Sequence, residues 1–327
     1  DYYNIFFAKF VLKCIRGGTM NFITPEKPYN TLNAYYRHKF GKKVFKVSLN
    51  GGFTCPNKDG TKGTGGCIFC SESGSGDYAG NKQESLEVQF KKVKEMMHQK
   101  WQDAYYIAYF QANTNTYDTP ENLRKLYFKA LSLDENIKGL NIGTRPDALS
   151  EEIYDLLSEL NEKTYLTIEL GLQSIHEETS NIINRGHDLK CFDDAVKELR
   201  KRNIDVVVHI INGFANETKE MMIETVKYVN TLGIQGIKIH LLHIMKKTAL
   251  GHTYLQEPFK ILTQDEYVDI VVEQIELLDP KIIIHRLTGD APIDMLIAPL
   301  WCLKKFITMN EIDKILRSKN SYQGIKY

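Results

Sequence analysis

No apolar stretch of this chain approaches the ~20 residues that a helix needs to cross a bilayer, which excludes a helical membrane span. Cysteine is scarce, six in 327 residues and in no regular pairing. That excludes a disulfide-stapled scaffold and fits a reducing, cytoplasmic setting. Charge of one sign is not in excess either: the formal net charge is +1, which neither demands nor excludes a nucleic-acid partner. The chain also lacks a methionine at its start, beginning at Asp1 with the first methionine at Met20. A secretory signal is a poor fit there, because Lys9 and Lys13 interrupt the apolar residues and no small-residue cleavage site follows. Arg16-Gly17-Gly18-Thr19 back-translates to a purine-rich run ahead of an ATG codon, like a bacterial ribosome-binding site. Residues 1–19 are therefore expected to be translated leader, residues 20–43 an N-terminal extension, and 44–327 the main domain.

What is present is globular. An apolar fraction of 43% against 25% charged residues supplies ample core, and an α/β barrel of this length as one domain is common. Half of the cysteines fall in the stretch GGFTCPNKDGTKGTGGCIFC: Cys55, Cys67 and Cys70, with eleven residues in the first gap and two in the second. Gly60, Gly63, Gly65 and Gly66 lie between them, so the loop bends easily but packs no core. Three thiolates on such a loop suggest a metal with one coordination position left open. An iron–sulfur cluster with one free iron is the sharper reading; a zinc site completed by a distant His or Cys stays open beside it. Cys14, Cys191 and Cys302 are scattered and read as ordinary thiols.

Along the chain, strand and helix patterns alternate. Strands are expected at Val44–Leu49, in AYYIAYFQ, GLNIG, TYLTIELGL, IDVVVHIING, GIKIHLL and IIIHRL. Helices are expected from Glu84 to Trp101, after Thr119-Pro120, after Ser150, over 176–184 and 190–202, from Asn216-Glu217-Thr218, from the capping box at Thr263–Glu266, and from Thr308. Six or seven such repeats argue for a parallel sheet with helical crossovers. Polar residues gather at or just past the expected strand ends: Gln111 and Asn113, Arg145, Glu169 and Gln173, Asn212, His240 and His243, His285 and Arg286. Because nearly every strand contributes one, the expected fold is an open, partial (β/α)6-type barrel with C-terminal helices, its site on the strands' carboxyl face. The run from Tyr35 to Lys46 interleaves aromatics with His38, Lys39, Lys42 and Lys43, a pattern suited to a phosphate backbone or to a solvated basic face.

These residues resemble the radical S-adenosylmethionine superfamily, and within it a bacterial branch related to the catalytic subunit of Elongator. The resemblance is carried by Cys55-Pro56-Asn57-Lys58-Asp59-Gly60, Gly65-Gly66-Cys67 and Phe69-Cys70, and runs on through YFQANTNTY, IGTRPD, ELGLQS, NRGHD, IKIHLLHIMKKT and HRLTGDAPIDMLIAPLW. It implies a TIM-type partial barrel in which Cys55, Cys67 and Cys70 hold a [4Fe–4S] cluster that cleaves S-adenosylmethionine to a hydrogen-abstracting radical. It further implies that Phe69 packs near the adenine, that Gln173 and Arg185 handle the methionine part, and that Glu169 meets the ribose or amino group. Gln111 and Asn113 stand where relatives hold the amino group, and Arg145 belongs to the same expected cofactor set. An external electron donor of flavodoxin or ferredoxin type is implied as a partner. The turn Gly213-Phe214-Ala215-Asn216 departs from the proline-containing pattern of the relatives, and Asn216 is expected to cap the next helix.

The resemblance implies tRNA as the substrate, with a carboxymethylaminomethyl group on the wobble uridine remodelled towards aminomethyl. No acetyl-coenzyme A pattern follows the barrel, so carboxymethyl transfer is not expected. Lys238, His240, His243 and Lys246, with Lys247, are candidates for phosphate contact near the barrel mouth, as is the Tyr35–Lys46 run. His285, Arg286 and Asp290 would bind a carboxylate or move a proton, or form a structural polar network. Two other readings are a radical enzyme acting on a small metabolite and a zinc-stabilised RNA-binding module without turnover.

Overall fold

The computed structural model describes residues 22–74, 76 and 78–327. The expectation for residues 1–19, Cys14 included, lies outside the described residues. Seven parallel strands run in the order β1-β2-β3-β4-β5-β6-β8. They are β1 (Lys43–Leu49), β2 (Ala104–Phe110), β3 (Ile137–Thr144), β4 (Tyr165–Gln173), β5 (Asp205–Asn212), β6 (Gly236–Leu241) and β8 (Ile283–Arg286). Strands covered on both faces need apolar side chains on both, and Ile107, Ala108 and Phe110 of β2 are wholly buried. The crossover helices are α2 (Leu86–His98), α3 (Pro120–Leu131), α4 (Glu151–Lys163), α5 (Glu177–Ile182), α6 (Leu189–Lys201), α7 (Lys219–Val229) and α9 (Gln264–Leu277), and α1 (Leu32–Phe40) precedes β1. The architecture is the expected partial barrel, with one strand more than six.

Helix starts follow capping chemistry. Thr119 accepts from the Asn122 amide with Pro120 at the first turn, and Thr263 and Glu266 form the expected reciprocal box at the start of α9. Two expectations are corrected, and a third holds with a different side-chain partner: Ser150 is the N-cap residue as expected. Thr218, not Asn216, caps α7; the Asn216 amide instead donates to Thr179 at 2.7 Å. The Ser150 hydroxyl turns to Glu152. Thr308 is buried inside the last helix, α10 (Lys305–Ser318), because a tight turn over Leu300–Lys304 feeds straight into it. A small antiparallel pair, β7 (Ile244–Met245) with β9 (Leu296–Ala298), and helix α8 (Ala249–Gln256) have no counterpart in the sequence reading.

The barrel does not close by a strand pair. Asn30 and Thr31 lie along β8 instead, with Asn30 O accepting from the Ile284 amide at 2.8 Å and Thr31 bridging Ile284. Below them, Tyr36 of α1 is buried among Val44, Ile107, Phe40 and Tyr165 and plugs the floor. This is a further correction: the aromatics of the basic–aromatic run cover the end opposite the strand carboxyl termini, and of its lysines only Lys46 lines the cavity, where it is bonded to Glu169. The two ends of the described chain meet at Gln323. It accepts from the Asn30 amide at 2.9 Å and donates to the carbonyls of Asp279 (2.9 Å) and Ile282 (2.7 Å), with no solvent exposure. Unmaking those bonds strands buried groups, so Gln323→Ala should cost about 2–4 kcal/mol of unfolding free energy. Urea denaturation measures it, and an unchanged midpoint would refute the closing role.

Candidate active site

The cysteine loop leaves β1 at the carboxyl face and is held by its own backbone and by one asparagine. The Lys58 and Asp59 amides return to Cys55 O (2.8 and 3.2 Å), and Cys70 N to Cys67 O (2.9 Å). Asn57, almost wholly buried, donates to Asn184 O at 2.7 Å and lies 3.9 Å from the Cys67 sulfur. From the far side Asn184, in the left-handed region at φ 52°, donates to Gly66 O at 2.7 Å. The segment Asn184–Gly186 is thus a clamp on the loop. Glycine is required there: Gly186 has φ +77°, and a Cβ on it would fall 2.5 Å from Asn57 Oδ1. Lys58 ties the loop's end back, donating to Ser71 O at 2.9 Å.

Cys55, Cys67 and Cys70 face one cavity of about 500 Å³ that runs down the barrel lumen. A hydrogen bond with the Cys70 thiol leads the influences that lower Cys67 to about 7, and Arg145, Asn57 and Lys58 reinforce it. The cavity is also lined by Phe69, Gln111, Asn113, Arg145, Gln173 and Arg185. Their commitments differ. Asn113 donates to Phe53 O and accepts from Lys58; Arg145 forks onto Asp147 (2.9 and 3.0 Å) and reaches Arg185 O. Both are occupied with the loops around the sulfurs. Arg185 spends Nη1 on the carbonyls of Leu172 and Ser174, each at 2.7 Å, but its buried Nη2 has no partner among the described residues. The Gln173 amide, at φ 66°, lies over Gly171, where a Cβ would come within 2.4 Å of Nε2. Phe69 packs obliquely on Phe214, ring centres 6.1 Å apart. An orphaned guanidinium nitrogen in the cavity that the three sulfurs line fits a carboxylate-bearing ligand on a cluster.

Deeper in the lumen the cavity meets a charged belt. Glu169 sits in mid-strand on β4, not at its end, and is fully buried. Its Oε1 accepts from Lys46 (2.8 Å) and Asn141 (3.1 Å). Its Oε2 accepts from Tyr109 (2.6 Å), His209 (2.9 Å) and Lys238 (2.5 Å). An ionised carboxylate only accepts, so His209 carries its proton on Nε2. Burial opposes the charge, but Lys238, Lys46 and His209 outweigh it and hold Glu169 well below the usual carboxylate range. Burial brings Lys238 down to about 7 and His209 to about 4. His240 and His285 are likewise kept neutral by burial first, then by surrounding cations.

The lumen therefore brings together most of the residues singled out from the sequence: the three cysteines, Phe69, Gln111, Asn113, Arg145, Glu169, Gln173, Arg185, Lys238, His240, His243, His285, Arg286 and Asp290 all line it. Lys246 does not; its ammonium donates to Asp294 O at the exposed β7 edge. Asn212 faces away and exchanges hydrogen bonds with Gln274. Tyr109 and His209 were missed, although each lies at an inward position of its strand, and a polar residue within an apolar strand was the available signal. Neither Cys191 nor Cys302 lines the cavity. Gly186→Ala should load less than half the iron and sulfide of the wild type after reconstitution while keeping its secondary structure. Iron and sulfide assays beside circular dichroism check this, and full loading would refute the clamp.

Comparison with known proteins supplies the rest. A model described as "Radical SAM superfamily" matches residues 57–229, and one described as "Radical_SAM C-terminal domain" matches 234–318. The chain is 50% identical over 299 residues to the protein YtqA of Bacillus subtilis, covering 91% of this chain and 92% of that one. It is 35% identical to YhcC of Escherichia coli over 91% of this chain and 95% of that one. Human Elongator complex protein 3 is 25% identical over 48% of this chain and 29% of its own length. Among solved structures, the archaeal Methanocaldococcus infernus Elp3 superposes with a TM-score of 0.66 at 18% identity, over 86% of this chain and 64% of that one, a likeness of fold. No helix among the described residues is long and apolar enough to cross a membrane. The chain belongs to the radical SAM superfamily, whose cofactors are a [4Fe–4S] cluster and S-adenosylmethionine.

Proposed function

We propose that this enzyme remodels the side chain of the wobble uridine of tRNA, converting a carboxymethylaminomethyl group towards aminomethyl. The observation that carries the reading is the match to Elongator complex protein 3, the branch that the sequence motifs also resemble. The lumen supports it: a cavity of about 500 Å³, plugged at its floor and open at the cysteine rim, admits a base that enters from the mouth while its polymer stays outside. In this reading Cys55, Cys67 and Cys70 hold the cluster, and Arg185 Nη2 with the amides of Gln173 and Gln111 takes the amino-acid part of S-adenosylmethionine. Phe69, seated on Phe214, offers its free face to the adenine. When bound, these groups supply one-electron cleavage of the sulfonium and hydrogen abstraction from the substrate. The electron comes from an external flavodoxin- or ferredoxin-type donor.

The chain's own residues then position and insulate. Arg145 and Asn113, committed to the loops, fix the rim. Tyr109, Glu169 and Lys238 form a continuous hydrogen-bonded path below it, with Lys238 Nζ 3.1 Å from the Tyr109 hydroxyl. A lysine near pH 7 in its titration can give or take a proton without a large energetic cost. The plug of Tyr36, Phe40 and Tyr165 shuts bulk water out from beneath.

Cys67→Ala should abolish release of 5′-deoxyadenosine from S-adenosylmethionine by the reconstituted protein, and a variant that retains full cleavage would show the ligands misassigned. Nucleoside mass spectrometry of tRNA from a strain lacking the gene should show the carboxymethylaminomethyl form accumulating at the wobble position. Unchanged wobble nucleosides would defeat the tRNA assignment and leave the radical chemistry intact.

A further inference from the structure

The belt around Glu169 holds more cations than it neutralises. Lys46 and Lys238 both converge on this one carboxylate. Arg286, at the end of β8, lines the same cavity and is solvent-exposed, and its side chain makes no hydrogen bond or ion pair among the described residues. The other carboxylate within reach, Asp290, is already paired with Lys305 at 2.5 Å. Two polar nitrogens beside Arg286, Nε2 of His240 and Nε2 of His243, are buried without a partner. They lie under Gly289, where a Cβ would stand 3.4 Å from His240 Nδ1 and 3.3 Å from His243 Cε1. Open space, an unmatched guanidinium and two unsatisfied imidazoles thus meet at one place. Arg286 faces the open cavity without a counter-ion of its own, and the two buried imidazole nitrogens stay unsatisfied unless a ligand meets them.

We propose that this end of the lumen is a binding subsite for a carboxylate carried by the substrate, forked by Arg286 and supported by His240 from β6 and by Lys46 from β1. The subsite deepens the function proposed above and rests on it only for the identity of the molecule that bears the carboxylate. A carboxylate is favoured over a phosphate monoester by shape: a planar two-oxygen acceptor matches the guanidinium fork. The subsite is distinct from the Arg185 nitrogen: that one stands among the cysteine-loop clamp, whereas Arg286 joins the belt from the last barrel strand, in register with Lys238.

The test uses the full chain and acetate as the probe, with methylphosphonate, methylammonium and chloride as comparators, followed through the histidine imidazole resonances. Acetate should shift them saturably, more tightly than methylphosphonate, while methylammonium and chloride give no saturable shift. Losing a charge-assisted fork is worth about 1.5–3 kcal/mol, so Arg286→Gln should weaken acetate about ten- to hundredfold, and Arg286→Lys should recover part of the loss. The thermal midpoint should stay unchanged, since Arg286 has no partner to lose. Absence of a saturable acetate shift, or equal affinity in Arg286→Gln, overturns the subsite. Preference for methylphosphonate overturns its carboxylate character. In a second arm, a strain carrying Arg286→Gln as its sole copy should accumulate the carboxylated wobble nucleoside. If tRNA from that strain and from the deletion strain is unaltered while acetate binds as described, the tRNA reading falls and the subsite stands.

Discussion

Everything in the barrel interior is arranged around one buried carboxylate. Glu169 of β4 accepts hydrogen bonds from Lys46, Tyr109, Asn141, His209 and Lys238, which come from β1, β2, β3, β5 and β6. A carboxylate this deep costs several kcal/mol unless its oxygens are met by donors of good geometry. The strands must therefore keep a curvature that points five side chains at one spot. A flatter sheet would leave the charge unanswered. The same requirement fixes what the neighbouring groups can do: burial brings Lys238 down to about 7, and burial with the nearby cations keeps the histidines neutral.

The lumen is built on two levels. The upper level is a glycine-rich loop that has no core of its own, so its shape is borrowed from elsewhere: from Asn57 inside the loop and from Asn184–Gly186 beyond β4. Two left-handed residues, Asn184 and Gly186, let that distant segment approach the loop backbone closely enough to hold it. The lower level is the belt, rigid because every strand contributes to it. The three sulfurs thus stand at one height of the cavity and the Glu169 belt at another, held by different segments of the chain.

Much of this was legible in the residue order. The three cysteines and their glycines, the strand–helix alternation, and the polar residues at inward strand positions gave the fold and most of the cavity lining. Individual partners were not legible. Glu169 reads from sequence as a strand-end group facing the cofactor; in the structure it lies in mid-strand and two lysines take the carboxylate. Tyr109 and His209 sit among apolar neighbours that resemble ordinary core. The Tyr35–Lys46 run looks like a polyanion surface, yet its aromatics plug the floor.

What the sequence determined by itself were local matters: which segments alternate, where caps and tight turns fall, and which loop can wrap a metal group. These depend on spacing and backbone freedom within a few residues, and the chain states them directly. The tertiary structure alone decided which charges meet, since strand curvature and the stagger between neighbours set that. Lys46 and Glu169 are 123 positions apart, and no periodicity relates them. The glycine-rich cysteine loop is the point where the two kinds of information join. Its sequence gives it the freedom to bend, and only the packing of Asn184–Gly186 against Asn57 selects the bend that turns all three sulfurs into the lumen.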